Sequence, residues 1–327
     1  MTRDEGDAVT TPDAEAPGAR GGLAGGLIKS LRPHQWVKNA FVLAPLFFSK
    51  SYTDPEKLAQ GLGAALLFSL TSGSVYLIND IFDVEKDRNH PVKRHRPIAS
   101  GRVSVRAAAI AAALLGPGCL AIAWALDWRM GAAMTAYLIM NLAYSTSLKN
   151  VAFLDVTIIA TGFVLRVLSG AFGIDVFISE WLVLCTFSVA LYLGLGKRVH
   201  ELKMVAQGRA DKVRKVLERY RAEQLDFAML FVSGLTIALY TTYTLTSSLK
   251  GLTGWALPNQ PLRAHDTPFS SPWLPITIPM VIFGITRFYQ LVHHDSPHSP
   301  TEQILRDRPF IGNILLWGVT MTVIAFA

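Results

Sequence analysis

The sequence predicts an all-α fold of the polytopic membrane class, a bundle of nine transmembrane helices. Three observations carry that expectation. Apolar stretches of spanning or near-spanning length recur from residue 35 to the C-terminus. Of 327 residues, 51% are hydrophobic and only 17% charged, where a soluble domain carries about 25% charged residues. Basic residues gather in alternate loops, as they do on the cytoplasmic side of membrane proteins. The mean hydropathy of +0.33 agrees.

Residues 1–25 are rich in Gly, Ala, Asp and Glu and hold no basic region followed by an apolar one, so they do not read as a signal peptide. They predict a disordered cytoplasmic tail over 1–27, ahead of a single intramembrane domain over 28–327. The spans are expected near 35–50, 57–82, 104–126, 129–147, 152–173, 179–197, 226–248, 272–292 and 310–326. The first and last are short and need interfacial residues or tilt to cross. Pro45, Pro117, Pro275 and Pro279 fall inside spans, where neighbouring helices can re-satisfy the backbone. Cys119 and Cys185 lie in apolar runs and read as small core residues.

Loop charges set the orientation. Lys86, Arg88, Lys93, Arg94, Arg96 and Arg102 follow the second span, and Lys203, Arg209, Lys212, Arg214, Lys215, Arg219 and Arg221 follow the sixth. The opposite loops hold scattered charges such as Lys50, Lys57, Arg129, Lys250 and Arg263. The N-terminus and the basic loops are therefore expected in the cytoplasm, for a multi-pass protein of the plasma membrane. The net charge of +7 is accounted for by these loops and does not call for nucleic acid. Residues 200–225 form the one sizeable polar piece, expected to be helical and placed to cap the cytoplasmic mouth.

The chemistry concentrates where the second span ends. Asn79, Asp83 and Asp87 are four apart, and Asp80 lies three before Asp83 and seven before Asp87. At about 100° per residue, one helical face presents three carboxylates and an amide. Like charges so close repel, and a divalent cation removes the conflict; an all-oxygen set suits Mg²⁺. Mg²⁺ shares its shell with phosphate oxygens, and the basic run Lys86, Arg88, Lys93, Arg94 and Arg96 follows at once. Acid for metal beside base for phosphate points to a diphosphate substrate. The bland alternative is a solvated helix end with mixed charges.

Three other places repeat the theme. Arg32 and Lys38 flank Trp36 at the entry to the first span, as active-site cations or as side chains snorkelling to lipid phosphates. Tyr144, Lys149 and Asp155 flank the short connection between the fourth and fifth spans. Arg166 lies eleven residues beyond Asp155, so the two share a helix face as a functional or a structural pair. The sixth span ends on Lys197, Arg198 and Glu201, which read as phosphate-binding cations beside a carboxylate or as a positive-inside anchor.

Asn79-Asp80-x-x-Asp83-x-x-x-Asp87, on the second of nine expected spans, resembles the first acidic motif of the UbiA-type intramembrane prenyltransferases, over roughly residues 30–326. The resemblance implies a nine-helix bundle with a cytoplasmic polar chamber and a lateral opening for an isoprenoid tail. Aromatic-prenylating members carry a second Asp-rich motif after the sixth span, and here that place reads Lys197-Arg198-Val-His-Glu201. With Arg32-Pro-x-Gln-Trp-Val-Lys38-Asn39, His90-Pro91-x-Lys93 and the stretch Ser299 to Arg308, the chain is similar to the family's decaprenyl-phosphate phosphoribosyltransferase branch.

That branch implies transfer of 5-phosphoribose from phosphoribosyl pyrophosphate to a polyprenyl phosphate, dependent on Mg²⁺, for envelope arabinan precursors. Asn79, Asp80, Asp83 and Asp87 are then the metal and catalytic set. Arg32, Lys38, Lys93, Arg96, Tyr144, Lys149, Arg166, Lys197, Arg198 and Glu201 are the candidate substrate-binding residues. A homo-oligomer is compatible with this reading. Two alternatives stand beside it: a conventional prenyltransferase acting on an aromatic acceptor, and an anion transporter using Asp155 and Arg166. The sequence shows no convincing repeat to support the transporter.

Overall fold

The computed structural model describes residues 22–209, 215–253, 271–296 and 298–326. Most of the expected tail, Lys212, Arg214 and Arg263 lie outside the described residues. Among the described residues there is no strand. In chain order the α-helices are α1 (Leu23–Ser30), α2 (Ala44–Phe48), α3 (Pro55–Phe82), α4 (Val84–Arg88), α5 (Val105–Leu126) and α6 (Trp128–Thr146). They continue with α7 (Leu154–Gly173), α8 (Glu180–Ala206), α9 (Ala222–Thr253), α10 (Ile278–His293), α11 (Pro300–Arg306) and α12 (Arg308–Phe326).

Side-chain caps fix several of these starts. Asp54 accepts hydrogen bonds from the Glu56 and Lys57 amides at α3, Ser104 from Ala107 at α5, and Asp127 from Arg129 and Met130 at α6. Asp127 alone separates α5 from α6, so those two helices turn back on each other and pack side by side. α3 is the central element and touches α5, α6, α7 and the segment before α2. One buried cluster joins Val42, Phe68, Val75, Met130, Met134 and Tyr137 across that half. A second joins Val156, Tyr192, Leu195, Val199, Leu217, Tyr220 and Leu225 across α7, α8 and α9.

Seven of the described helical segments are long and apolar enough to cross a membrane. Two expected spans differ from that pattern. α6 has 19 residues, but Thr135, Asn141, Tyr144, Ser145 and Thr146 lower its hydropathy. Residues 35–50 do not form one α-helix: Pro33–Leu43 is 3-10 and only Ala44–Phe48 is α. This segment lies hard against α7, where a Cβ added to Gly170 would sit 1.8 Å from the Val42 carbonyl oxygen.

The charged ends also depart from expectation. α1 takes in residues 23–27 of the expected tail, because Leu27 and Leu31, four apart, pack on Leu77, Ile98 and Val103. α8 runs nine residues beyond the expected end of its span, to Ala206. Residues 200–225 are not one helix: after α8 comes a turn, and Lys215–Arg219 is 3-10. Val216, Leu217 and Tyr220 of that piece are buried in the second cluster rather than solvated.

Candidate active site

The acidic face forms where α3 passes into α4. The helical path survives the junction, since the Asp83 amide donates to Asn79 O at 3.0 Å and the Asp87 amide to Asp83 O at 2.8 Å. The four residues therefore keep close to their helical spacing. They are not equivalent. Asp80 and Asp87, seven apart and so two turns along one face, are buried; Asn79 and Asp83 are half-buried.

Two arginines from outside the helix meet the buried pair. Arg96 Nη1 contacts Asp80 Oδ1 at 3.0 Å and Asp87 Oδ2 at 2.5 Å, while Arg32 Nη2 contacts Asp80 Oδ1 at 2.5 Å. Arg32 holds this position from a left-handed backbone (φ 56°, ψ 61°), and its guanidinium lies 4.9 Å from the centre of the Tyr76 ring. The turn that brings Arg96 back is closed by His90, whose Nδ1 accepts from the Val92 and Lys93 amides at 3.2 and 3.3 Å. Lys93, half-buried on that turn, feels the charges of Arg96, Asp87, Lys86 and Asp83. Burial first, and Arg96 second, hold its ammonium below the ordinary lysine range.

Metal binding can be judged from the donor atoms. Among the described residues no three His, Cys, Asp or Glu side chains converge as a metal-binding group. The expected acidic face therefore takes the form of two arginine-paired carboxylates flanked by Asn79 and Asp83. Yet both arginines use Asp80 Oδ1, and Arg96 uses Asp87 Oδ2. Among the described residues, Asp80 Oδ2, Asp87 Oδ1 and the half-buried Asp83, which has a 3.9 Å contact with Lys86, are left as hard oxygen donors along one face. That donor chemistry fits Mg²⁺.

A second group of cations gathers around Lys38. The charges that act on Lys38 are Lys197, Arg166 and Arg32, so the first segment, α7 and α8 bring these four together. Arg166 is 6% exposed and each of its three nitrogens donates: Nε to Asn39 Oδ1 at 2.9 Å, Nη1 to Gly162 O at 2.8 Å and Nη2 to Tyr137 Oη at 3.0 Å. Asn39 in turn donates to Ser69 and Ser72 of α3. Arg166 thus ties the first segment to α3, α6 and α7 from inside the bundle.

The expected partnership of Asp155 and Arg166 is not formed. Eleven residues of helix separate them by about 16 Å along the axis, and sharing a face does not close that gap. Asp155 pairs instead with Arg198, Oδ2 to Nε at 2.8 Å, both side chains at most 1% exposed. Arg198 also contacts Glu201. Tyr220 completes the cluster, donating to Asp155 Oδ1 at 2.5 Å and accepting from the Phe153 amide at 2.7 Å. Tyr144 lies within electrostatic reach of Arg198, whereas no described contact links Lys149 to the other candidates.

Sequence reasoning did not find three of these contacts. Asn39 stood in the entry motif without a role, and a buried amide beside an intramembrane Arg was the available signal. Tyr137 sat unremarked in the fourth expected span. Tyr220, 65 residues from Asp155, gave no local signal at all.

A model of the UbiA prenyltransferase family matches residues 40–305. A decaprenyl-phosphate phosphoribosyltransferase of Mycolicibacterium smegmatis is 34% identical over 303 residues, 90% of this chain and 91% of that protein. The one from Mycobacterium tuberculosis is 32% identical over 319 residues, 96% of this chain and 97% of that protein. In three dimensions the chain is similar to a UbiA homologue from Archaeoglobus fulgidus solved with GPP and Mg²⁺, with a TM-score of 0.62 at 16% identity, covering 92% of this chain and all of that one.

Proposed function

Because the chain belongs to the UbiA prenyltransferase family, we propose that it transfers 5-phosphoribose from phosphoribosyl pyrophosphate to a polyprenyl phosphate and releases pyrophosphate. It is an all-helical integral membrane protein and a transferase. The observation that carries the donor assignment is the 32–34% identity to decaprenyl-phosphate phosphoribosyltransferases over at least 90% of both partners. The site's chemistry supports it. Where aromatic-prenylating relatives place a second acidic motif, this chain has Arg198 buried against Asp155 and Glu201, so that both carboxylates are already paired with an arginine of the chain.

Nine crossings, counting the 3-10 segment and α6, put the N-terminus, the basic loops and the polar chamber in the cytoplasm, in the plasma membrane. Asn79, Asp80, Asp83 and Asp87 would hold Mg²⁺, which when bound would offset part of the diphosphate charge and make it a better leaving group. Arg32, Lys93 and Arg96 border that face and bind the diphosphate oxygens. Lys38 and Lys197 orient the lipid phosphate. That phosphate is already anionic, so it needs placement rather than a general base. An acceptor oxygen bonds to ribose C1 as the C1–O bond to pyrophosphate breaks and pyrophosphate departs with the electron pair. Positive charge develops on the ribose as it does in glycosyl transfer. Glu201, Tyr144 and Lys149 complete the proposed substrate-binding set, and Arg166 and Arg198 hold the frame. Arabinan precursor synthesis in the envelope is the pathway this product suits.

The test uses the protein purified in detergent with Mg²⁺, a polyprenyl phosphate and phosphoribosyl pyrophosphate labelled in the ribose. Label moving into an organic-extractable lipid is the expected result. No such lipid, with transfer from a prenyl diphosphate to an aromatic acceptor by the same preparation, would return the chain to conventional prenyl transfer. Transfer in neither assay, with anion uptake into proteoliposomes, would make it a transporter.

A further inference from the structure

The contacts of Arg32 and Arg96 raise a question of charge. Each uses the carboxylates that the proposed reading gives to Mg²⁺, and Arg96 bridges Asp80 and Asp87 across two helical turns. The four side chains sum to zero, two positive and two negative. Asp80 and Asp87 are buried, and the two arginine side chains are only 24% and 28% exposed, so solvent screens the group poorly. Lys86 and Lys93 add positive charge nearby and Asp83 adds one negative charge.

A lone divalent cation entering this group would leave it strongly positive in a poorly screened place. It would also share both buried carboxylates with two guanidiniums, each weakening the other's hold. A diphosphate reverses both costs. It brings several negative charges, and its oxygens are bidentate acceptors suited to guanidinium. We infer that Arg32 and Arg96 are built-in counter-ions of Asp80 and Asp87, exchanged onto the diphosphate when cation and diphosphate bind together. The inference rests on the proposed reading of Asn79, Asp80, Asp83 and Asp87 as the metal set and adds an order to it. Cation and diphosphate each raise the other's affinity, and neither binds well alone.

Arg96 and Arg32 are therefore restraints on the metal as well as ligands of the phosphate. Charge and geometry make Arg96 the stronger restraint, because it touches both carboxylates and Arg32 touches one.

The experiment is Mn²⁺ binding to the purified full chain, read by electron paramagnetic resonance of free Mn²⁺. It is run with and without methylenediphosphonate, a stable diphosphate, with free Mn²⁺ corrected for chelation by that compound. Wild type is expected to bind Mn²⁺ at least about tenfold more tightly with the diphosphonate, within the usual range of linked sites. Arg96→Gln is expected to bind Mn²⁺ alone about tenfold more tightly than wild type, and the diphosphonate more weakly. Arg32→Gln should move both in the same directions by less, and it serves as the second variant if Arg96→Gln misfolds. Circular dichroism and gel filtration report folding.

Wild type binding Mn²⁺ alone as tightly as both variants, with Asp83→Asn abolishing the binding, would overturn the counter-ion role and leave the metal assignment standing. Mn²⁺ binding that is absent in every form, with or without diphosphonate, would overturn the metal assignment and the counter-ion role with it.

Discussion

Replacing Tyr220 by Phe removes one oxygen atom and two hydrogen bonds at the junction of α7, α8 and the 3-10 turn before α9. The hydroxyl donates to Asp155 Oδ1 at 2.5 Å and accepts from the Phe153 amide at 2.7 Å. Burial and the adjacent carboxylate hold it above the ordinary tyrosine range, so it stays a donor throughout the working pH range. A hydrogen bond to a charged group contributes about 1.5–3 kcal/mol. Phe153 is itself 39% exposed, so water replaces part of what its amide loses. The expected destabilisation is about 2–4 kcal/mol.

Asp155→Asn leaves Arg198 buried beside a neutral amide and is expected to cost about 3–5 kcal/mol. Once the carboxylate charge is gone, Tyr220→Phe should cost at least about 1 kcal/mol less than it does in wild type. Unfolding of the four proteins by SDS titration, followed by circular dichroism, gives the cycle. Tyr220 touches no proposed substrate position, so turnover of the folded fraction should stay near wild type. A Tyr220→Phe cost below about 0.5 kcal/mol, or one equal in both backgrounds, would refute the reasoning that these groups act as a unit.

Three further outcomes follow from the geometry. Gly170→Ala places a methyl group against the Val42 carbonyl oxygen, 1.8 Å away before any shift; a loss of about 3 kcal/mol or more is expected, and one near zero would show that the first segment is not seated on α7. Arg166→Lys keeps the charge but cannot serve Asn39, Gly162 and Tyr137 at once; it should lower stability by about 2–3 kcal/mol, and Arg166→Lys unfolding like wild type would remove Arg166 from the frame. Lys93 has its ammonium held below the ordinary value of 10.5, by burial first. Its phosphate contact should be present at neutral pH and fade as pH rises through that lowered value. The alkaline limb of kcat/KM should therefore fall below pH 10.5 and move upward in Lys93→Arg, and a limb that does not move would exclude Lys93 from substrate binding.

The parts of the structure legible in the sequence were those governed by period and composition. The acidic face was readable because 3.6-residue geometry puts Asp80, Asp83 and Asp87 near one line, and the helical path does continue through Asp83. Apolar length located most of the spans for the same reason. Partner choice was not readable. Arg96 looked like one cation in a basic run, and only folding places it between Asp80 and Asp87.

Periodicity misled at Asp155 and Arg166, because it reports a shared face and says nothing of axial distance. Both residues found partners on other elements, Arg198 and Asn39, at separations where local pattern carries no information. The 3-10 form of Pro33–Leu43 was not readable either, nor was the close approach of its Val42 to Gly170, which is a tertiary contact. Likewise Val216, Leu217 and Tyr220 sit among charges in the sequence but fill a core in the fold.

The central claim is that the bond broken lies between ribose C1 and the diphosphate. It is tested most directly by supplying two preparations of phosphoribosyl pyrophosphate, one carrying ³²P in the 5-phosphate and one in the diphosphate, with polyprenyl phosphate and Mg²⁺. The account predicts that the first label enters the lipid and the second is released as pyrophosphate, and that Asp83→Asn abolishes both while remaining folded. Diphosphate label found in the lipid, or turnover in Asp83→Asn near that of wild type, would contradict it.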